Sequence, residues 1–584
     1  MPDEIKDLLE LLNRFDCEDK PICEAEIQGT IAALKREKGL KDFPFEFIAE
    51  LMAFGADEKN TLLGEFKGEA IFTILSCDKI TQEIITYWES RLQQSANPVI
   101  KARYAALIWD QTKIVTGKSP NYQMAQIAID SILTMADSNR HSSIVSVRIK
   151  LENAMQLSFL INDCKRVEKI RDCIIAYEDK IAKDDMLGTW GFSFDIFWGN
   201  KKIVLTDIQW EKIITDLEAR LQRVSGSTDP SKKHPFAAEA ASRRLALFYQ
   251  GEKKTKEMKR VLDMSADIFE SIGSNASPML HLSWMQNVHS VYKEFGLDSE
   301  AEEITKKIRK IGPDVLLDLK QISSKVEIPK EELNKAIEIL TEGGIDKALS
   351  KIALYFIPNK NQLEDQLRIM SKLAPISFLF STSIVDHEGR IVCTVPPLKD
   401  DLGSNMIVQI SENMSYMGII LNMVLKSVKQ KYVDSEQVYI DHLFKSPVFL
   451  KKSKPILISG FKEYLSGNHL CAIHLLIPQI ECAFRNLLHM AGSSVLKQSR
   501  YGGWDLKLLH EILSDPILLD IFNNNGQDAI DYFKALLTDP RGWNLRNSIC
   551  HGFIDLSIIG PLHSERILHV LLCLAQVKQK KKDS

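Results

Sequence analysis

The ten cysteines are scattered along 584 residues, and no two of them stand in a Cys-x-x-Cys pair. That arrangement fits reduced thiols in a cytoplasm better than a disulfide framework. Long apolar runs are missing as well. The stretch Met406–Val428 is broken by Glu412, Asn413 and Lys426, so no membrane-spanning helix and no membrane insertion are expected. The start, Met1-Pro2-Asp3-Glu4, is acidic and polar, and no signal peptide is expected there. There is no GxGxxG, no P-loop and no GxSxG, so no nucleotide cofactor is anticipated. His510-Glu511 opens like a zincin motif, but Ser514 stands where the second histidine is required. His469, Cys471 and His474 occupy an otherwise apolar helix without a second ligand pair, so no metal is expected there either. Net positive charge is also lacking: at −4 the chain has no overall attraction to nucleic acid.

What remains is ordinary soluble composition, 45% apolar and 26% charged, over a length that accommodates three or four domain-sized units. Charge is unevenly spread. Residues 431–584 carry 18 Lys/Arg against 15 Asp/Glu, and four of those lysines form the tail Lys578, Lys580, Lys581 and Lys582. Such a tail reads as a solvated terminus or as a phosphate contact.

Helical periodicity dominates the first half. Apolar faces recur at Ile5–Phe15, Glu24–Glu37 and Phe45–Phe54, then in pairs: Pro98–Thr112 with Met124–Met135, a pair from His141 through Asp163–Ile181, a pair from His234-Pro235 through Lys256–Ile272, and one from Pro278 through Glu300–Ile311. Paired starts 43 residues apart suggest an α-solenoid, with an irregular helical domain as the alternative. Residues 1–311 are therefore expected to form a long helical region able to seat a protein partner. A connecting region, 312–433, follows, with short helices at Pro313–Leu319, Lys330–Leu340 and Ile345–Leu354. Near 376–396 the texture changes: β-branched residues flank Asp386-His387-Glu388-Gly389, predicting one β-hairpin that serves as a structural joint. A helix over Asn405–Lys429 leads to a C-terminal bundle, 434–584. The fold class is all-α with that single hairpin.

The chemistry concentrates in Gly542-Trp543-Asn544-Leu545-Arg546-Asn547-Ser548-Ile549-Cys550-His551-Gly552. Asp539-Pro540 before it and Gly552 after it are start and stop marks for a helix. Arg546 and His551 diverge by about 140° on an ideal helix, whereas Asn547 and His551 share a face. An arginine for phosphate and a histidine titrating near neutrality can cut a phosphodiester without metal. The alternative is a capped helix with a satisfied core histidine. Cys550 points away from His551 and reads as core.

Upstream, His474-Leu475-Leu476-Ile477-Pro478-Gln479-Ile480-Glu481-Cys482-Ala483-Phe484-Arg485-Asn486 precedes a glycine-containing loop and Trp504-Asp505-Leu506-Lys507-Leu508-Leu509, read as a helix. Pro478 is expected to kink or break its helix. Glu481 and Arg485 stand one turn apart as an ion pair, either a plain surface pair or a support for the motif. With Asn544-Leu545-Arg546-Asn547 and His551-Gly552, this resembles the HEPN superfamily of R-x4-H type. Within it, the sequence is similar to the branch that contains the ER membrane-associated RNA degradation protein. The resemblance spans about residues 465–560, with Ser548-Ile549-Cys550 where an alanine before the histidine is more usual.

The resemblance implies a HEPN helical bundle and a metal-independent endoribonuclease. Arg546, Asn547 and His551 would be catalytic, Glu481 and Arg485 supporting, and RNA the substrate. His551 would take the proton of a ribose 2′-hydroxyl, Arg546 would stabilise the phosphorane, and Asn547 would hold His551 or a phosphate oxygen. It also implies a homodimer through the C-terminal bundle. The alternatives are an RNA- or nucleotide-binding module without catalysis, and a helical scaffold dimerised by the bundle.

Overall fold

A computed structural model describes residues 2–39, 44–55, 80–226, 234–320, 330–433, 435–522, 526–553 and 559–578. The chain is all-α: 27 α-helices are joined by two small antiparallel hairpins among the described residues. None of these helices is long and apolar enough to cross a membrane. The chain divides into two compact units, residues 1–276 with 283–304, and residues 277–282 with 305–584.

In the first unit, capping residues and apolar stripes place the helices. Pro98–Thr116 starts behind Asn97, whose side chain accepts from the Val99 amide at 2.9 Å, and stops at Gly117 in the left-handed region. It packs on Tyr122–Ser138, which packs on Ile144–Leu160, which packs on Cys164–Ile181. The later helices Asp207–Ser225, Pro235–Gly251 and Thr255–Gly273 likewise pack on their neighbours in sequence. Contact between successive elements is the packing logic of helical repeats.

The second unit has one hydrophobic core that runs from Leu340 to Ala575. Through it pass the 31-residue helix Leu402–Tyr432, the helix His469–Met490 and the helix Pro561–Ala575. The last is buried at every residue from Ser564 to Ala575, so it has no solvent face, and it carries Glu565, Arg566 and His569 inside with it.

Three expectations from sequence are corrected here. First, proline does not interrupt its helices. Pro478 lies within the unbroken His469–Met490, where Leu476, Ile477 and Ile480 anchor both sides in the core. Pro313 lies within Asp298–Asp318 and does not open a separate helix. Tertiary packing outweighs the lost backbone donor. Second, strand is not confined to one hairpin. Trp504–Leu506, expected to be helical, pairs with Leu496–Gln498 across the turn that contains Gly502 and Gly503. Third, the expected hairpin is shorter than 376–396. Its strands are Thr382–Val385 and Ile391–Val395, while Pro375–Leu379 forms a helical turn.

That first hairpin is held at its tip by backbone. Gly389 (φ +76°) sits against the Gly312 carbonyl so closely that a Cβ at either glycine would collide with the other chain segment. Asp386 closes the turn, accepting from the amides of Glu388 and Arg390 at 3.0 Å each.

Candidate functional site

The motif helix is short, Leu545–Cys550, and buries Leu545 and Ile549. What positions it is the turn in front. Arg541 donates to both oxygens of Asp539 at 2.9 and 2.6 Å and to Ser404 Oγ at 2.7 Å, fixing the turn to the start of the long helix. Burial works to raise the Asp539 carboxyl, but the Arg541 pair prevails and holds it below its ordinary value. Gly542 lies on the Ala535 carbonyl with no room for a Cβ, and the Trp543 amide donates to the same carbonyl at 2.7 Å. Asn544 then takes the left-handed conformation (φ 48°, ψ 33°) and turns the chain into the helix. A positive φ at asparagine is tolerated because its short polar side chain bonds locally. The Trp543 ring packs beside His563 at 5.2 Å. Burial pushes the His563 imidazole below its ordinary value.

Each nitrogen of Arg546 has a protein acceptor, which uses three of its five N–H donors. Its Nε and Nη2 donate to Glu481 Oε2 at 3.1 and 3.0 Å, and its Nη1 donates to Asn547 Oδ1 at 3.1 Å. The other oxygen of Glu481 accepts from Arg485 Nη2 at 2.7 Å. One carboxylate thus stands between two guanidiniums, and the charge-assisted contacts fix the direction of the Arg546 side chain. The i,i+4 pair of Glu481 and Arg485 is present, and it extends to the motif.

Asn547 is bonded within its own turn. Its amide nitrogen donates to Asn544 Oδ1 at 2.8 Å and to the Thr538 carbonyl at 3.4 Å, while its oxygen receives Arg546. It orients the arginine and the turn. Toward His551 it offers only its backbone carbonyl, to the His551 amide at 3.0 Å.

His551 caps the helix (φ −96°, ψ 0°) and its ring is exposed. It stands 5.9 Å from the Phe553 ring, at 30°. Phe553 gathers further groups: His387 at 6.2 Å and the Arg390 guanidinium at 5.8 Å. Arg390 is braced by Asp386 at 2.6 Å and Glu388 at 3.1 Å.

These residues border one cleft of about 600 Å³. Arg546, Asn547 and His551 line one side, His387 and Arg390 come from the first hairpin, and His510 comes from the Leu509–Ile512 helix. Glu481 and Arg485 stand behind the lining. The 140° divergence on an ideal helix therefore does not separate Arg546 from His551; a single chain brings both to the same cleft.

Sequence reasoning missed His387, Arg390, His510 and Phe553. The hairpin was read as a joint, yet its tip carries an imidazole and a guanidinium into the cleft wall. A histidine and an arginine inside a tight Asp…Gly turn were the available signal. Lys580, Lys581 and Lys582 lie outside the described residues.

Metal ligation has no support among the described residues, which contain no cluster of three His, Cys, Asp or Glu able to hold an ion. His469 and His474 are engaged otherwise, with Ser564 Oγ and the Leu470 carbonyl, each at 2.8 Å. Compared with known proteins, the chain matches no protein-family model, no curated protein and no solved structure.

Proposed function

We propose that this protein is a metal-independent endoribonuclease of HEPN type. The observation that supports it is a cleft in which an exposed imidazole, His551, faces the same space as a guanidinium held in place by a carboxylate, Arg546 on Glu481. His551 removes the proton from a ribose 2′-hydroxyl. The 2′-oxygen attacks the adjacent phosphorus, the bond to the 5′-oxygen breaks, and a 2′,3′-cyclic phosphate and a 5′-hydroxyl end result. The leaving oxygen needs a proton, and His387, on the same aromatic ring as His551, is the group to supply it. Arg546 stabilises the charge on the equatorial oxygens. Acid–base help of this kind contributes about 10²–10⁴ in rate. DNA lacks the attacking hydroxyl and is not cut.

Binding without cleavage is the second reading, favoured by the complete occupation of the Arg546 nitrogens by protein acceptors. A homodimer through the C-terminal bundle, a protein partner on the N-terminal helices and a cytoplasmic setting in RNA turnover, toxin action or antiviral defence complete the proposal. A helical scaffold is the remaining alternative. Purified protein incubated with mixed RNA in excess EDTA separates these readings. Cleavage to 2′,3′-cyclic ends is expected; gel-shift retention with intact RNA would establish the binding reading.

A further inference from the structure

On another part of the second unit, a cleft of about 160 Å³ is bordered by residues 355–359, by Gln362, Leu363 and Gln366, by the stretch around Asn413 and Met414, and by Arg566. Its rim is neutral and polar, with the amides of Asn359, Gln362, Gln366 and Asn413. Its floor is Phe356, Leu363, Met414 and Arg566, all buried. Arg566 is 1% exposed and, among the described residues, is the only charged one in the lining. One of its nitrogens, Nη2, donates to the Met414 carbonyl at 2.8 Å. Nε and Nη1 have no hydrogen-bond partner. The guanidinium lies 5.9 Å from the Tyr532 ring. The carboxylate beside it in sequence, Glu565, is turned to Asn422, which donates to it at 2.6 Å, and it feels the Arg566 charge as a minor influence.

A buried guanidinium is ordinarily matched by an anion, because an unpaired charge out of water is strongly unfavourable. Here the neighbouring carboxylate is hydrogen-bonded to Asn422 and answers the charge only in part, and the guanidinium borders a cleft rimmed by hydrogen-bonding amides. Guanidinium donors are suited to oxyanions. We propose that this cleft is a binding site for a small oxyanion, a carboxylate or a phosphoryl group, received on Arg566 with the rim amides completing its hydrogen bonds. The volume admits the anion with a small attached group and is below the size of a nucleotide site. The site is separate from the Arg546 cleft and does not depend on the ribonuclease reading.

Inorganic phosphate and benzoate are the two probes, titrated into the full-length protein by calorimetry and thermal denaturation against chloride at matched ionic strength. Saturation in the micromolar to low millimolar range by at least one of them is expected, with a midpoint raised by a few degrees. Phosphate alone would make the ligand phosphoryl-bearing; benzoate alone would make it a carboxylic acid. Asn413→Asp places an acid on the rim without disturbing the core. It is expected to weaken binding at least tenfold and to leave the midpoint without probe unchanged or higher. Arg546→Ala is expected to bind as the parent protein does. Binding of neither probe by the parent protein, or binding indifferent to Asn413→Asp, would overturn the proposal.

Discussion

Two arginines of the same bundle are held in opposite ways. Arg546, 18% exposed, has an acceptor for each of its three nitrogens and a carboxylate fixed behind it. Arg566, 1% exposed, has an acceptor for one. The first arrangement is how a side chain is aimed: Glu481 and Asn547 determine where the guanidinium points before any ligand arrives, so little ordering is left to do on binding. The second leaves two guanidinium nitrogens without a hydrogen-bond acceptor among the described residues, so an anion that reaches them gains hydrogen bonds the protein does not supply. Preorganisation and unmet demand are two ways in which one residue type is readied for oxyanions, and they predict different responses to mutation.

The largest effects are expected at the aimed site. His551→Ala and Arg546→Ala should each reduce RNA cleavage by about 10²–10³ or more, while the thermal midpoint stays within a few degrees, because His551 is exposed and Glu481 keeps Arg485 as its partner when Arg546 is removed. Cleavage at the parent rate in either variant places the chemistry elsewhere. Gly542→Ala should act through the fold: its methyl meets the Ala535 carbonyl, and about 2–3 kcal/mol of stability should be lost together with activity. An unchanged urea midpoint would show that the turn can shift.

The next effect concerns the neighbour of Arg566. Burial pushes the Glu565 carboxyl up to about 7, against smaller lowering influences from Asn422, Lys426 and Arg566. A carboxyl raised on folding contributes stability that is intact below its unfolded value and is lost as pH rises through about 7. Glu565→Gln should therefore raise the free energy of unfolding at pH 8 by on the order of 2–3 kcal/mol and change little at pH 5. His569, pushed down to about 3 by burial and then by Arg566, acts in the opposite sense as pH falls below its unfolded value. It is common to both proteins, so the comparison is made at each pH. Equal gains at pH 5 and pH 8 would refute the assignment. The smallest effect is expected for Arg390→Ala on the hairpin. RNA affinity should fall severalfold, with the slope of log K against log salt reduced by about 0.7–0.9. An unaltered slope would remove Arg390 from the RNA path.

The helices were legible because their apolar faces repeat at helical spacing and capping residues such as Asn97 and Asp401 mark their starts. The prolines misled because Pro478 and Pro313 are judged by local rules, whereas the packing of Ile477 and Ile480 is a property of the whole core. Trp504-Asp505-Leu506 is too short for its alternation to show, and its strand exists only through Leu496–Gln498. At the site, Arg546, His551 and the Glu481–Arg485 pair were readable from spacing within one segment. His387 was not, since its place beside Phe553 joins residues far apart in the chain. Helical spacing puts Asn547 on the His551 face, and the resemblance implies a role holding His551 or a phosphate oxygen. The left-handed Asn544 drew the Asn547 side chain to the turn.

The packing of Trp543 on His563 gives the cleft its own optical reporter. Indole emission depends on the polarity and the protonation of what touches it, and His563 is kept neutral by burial near pH 7. Trp543 lines the same cleft as Arg546, so occupancy of the cleft is expected to be readable as a change in fluorescence that Trp543→Phe abolishes.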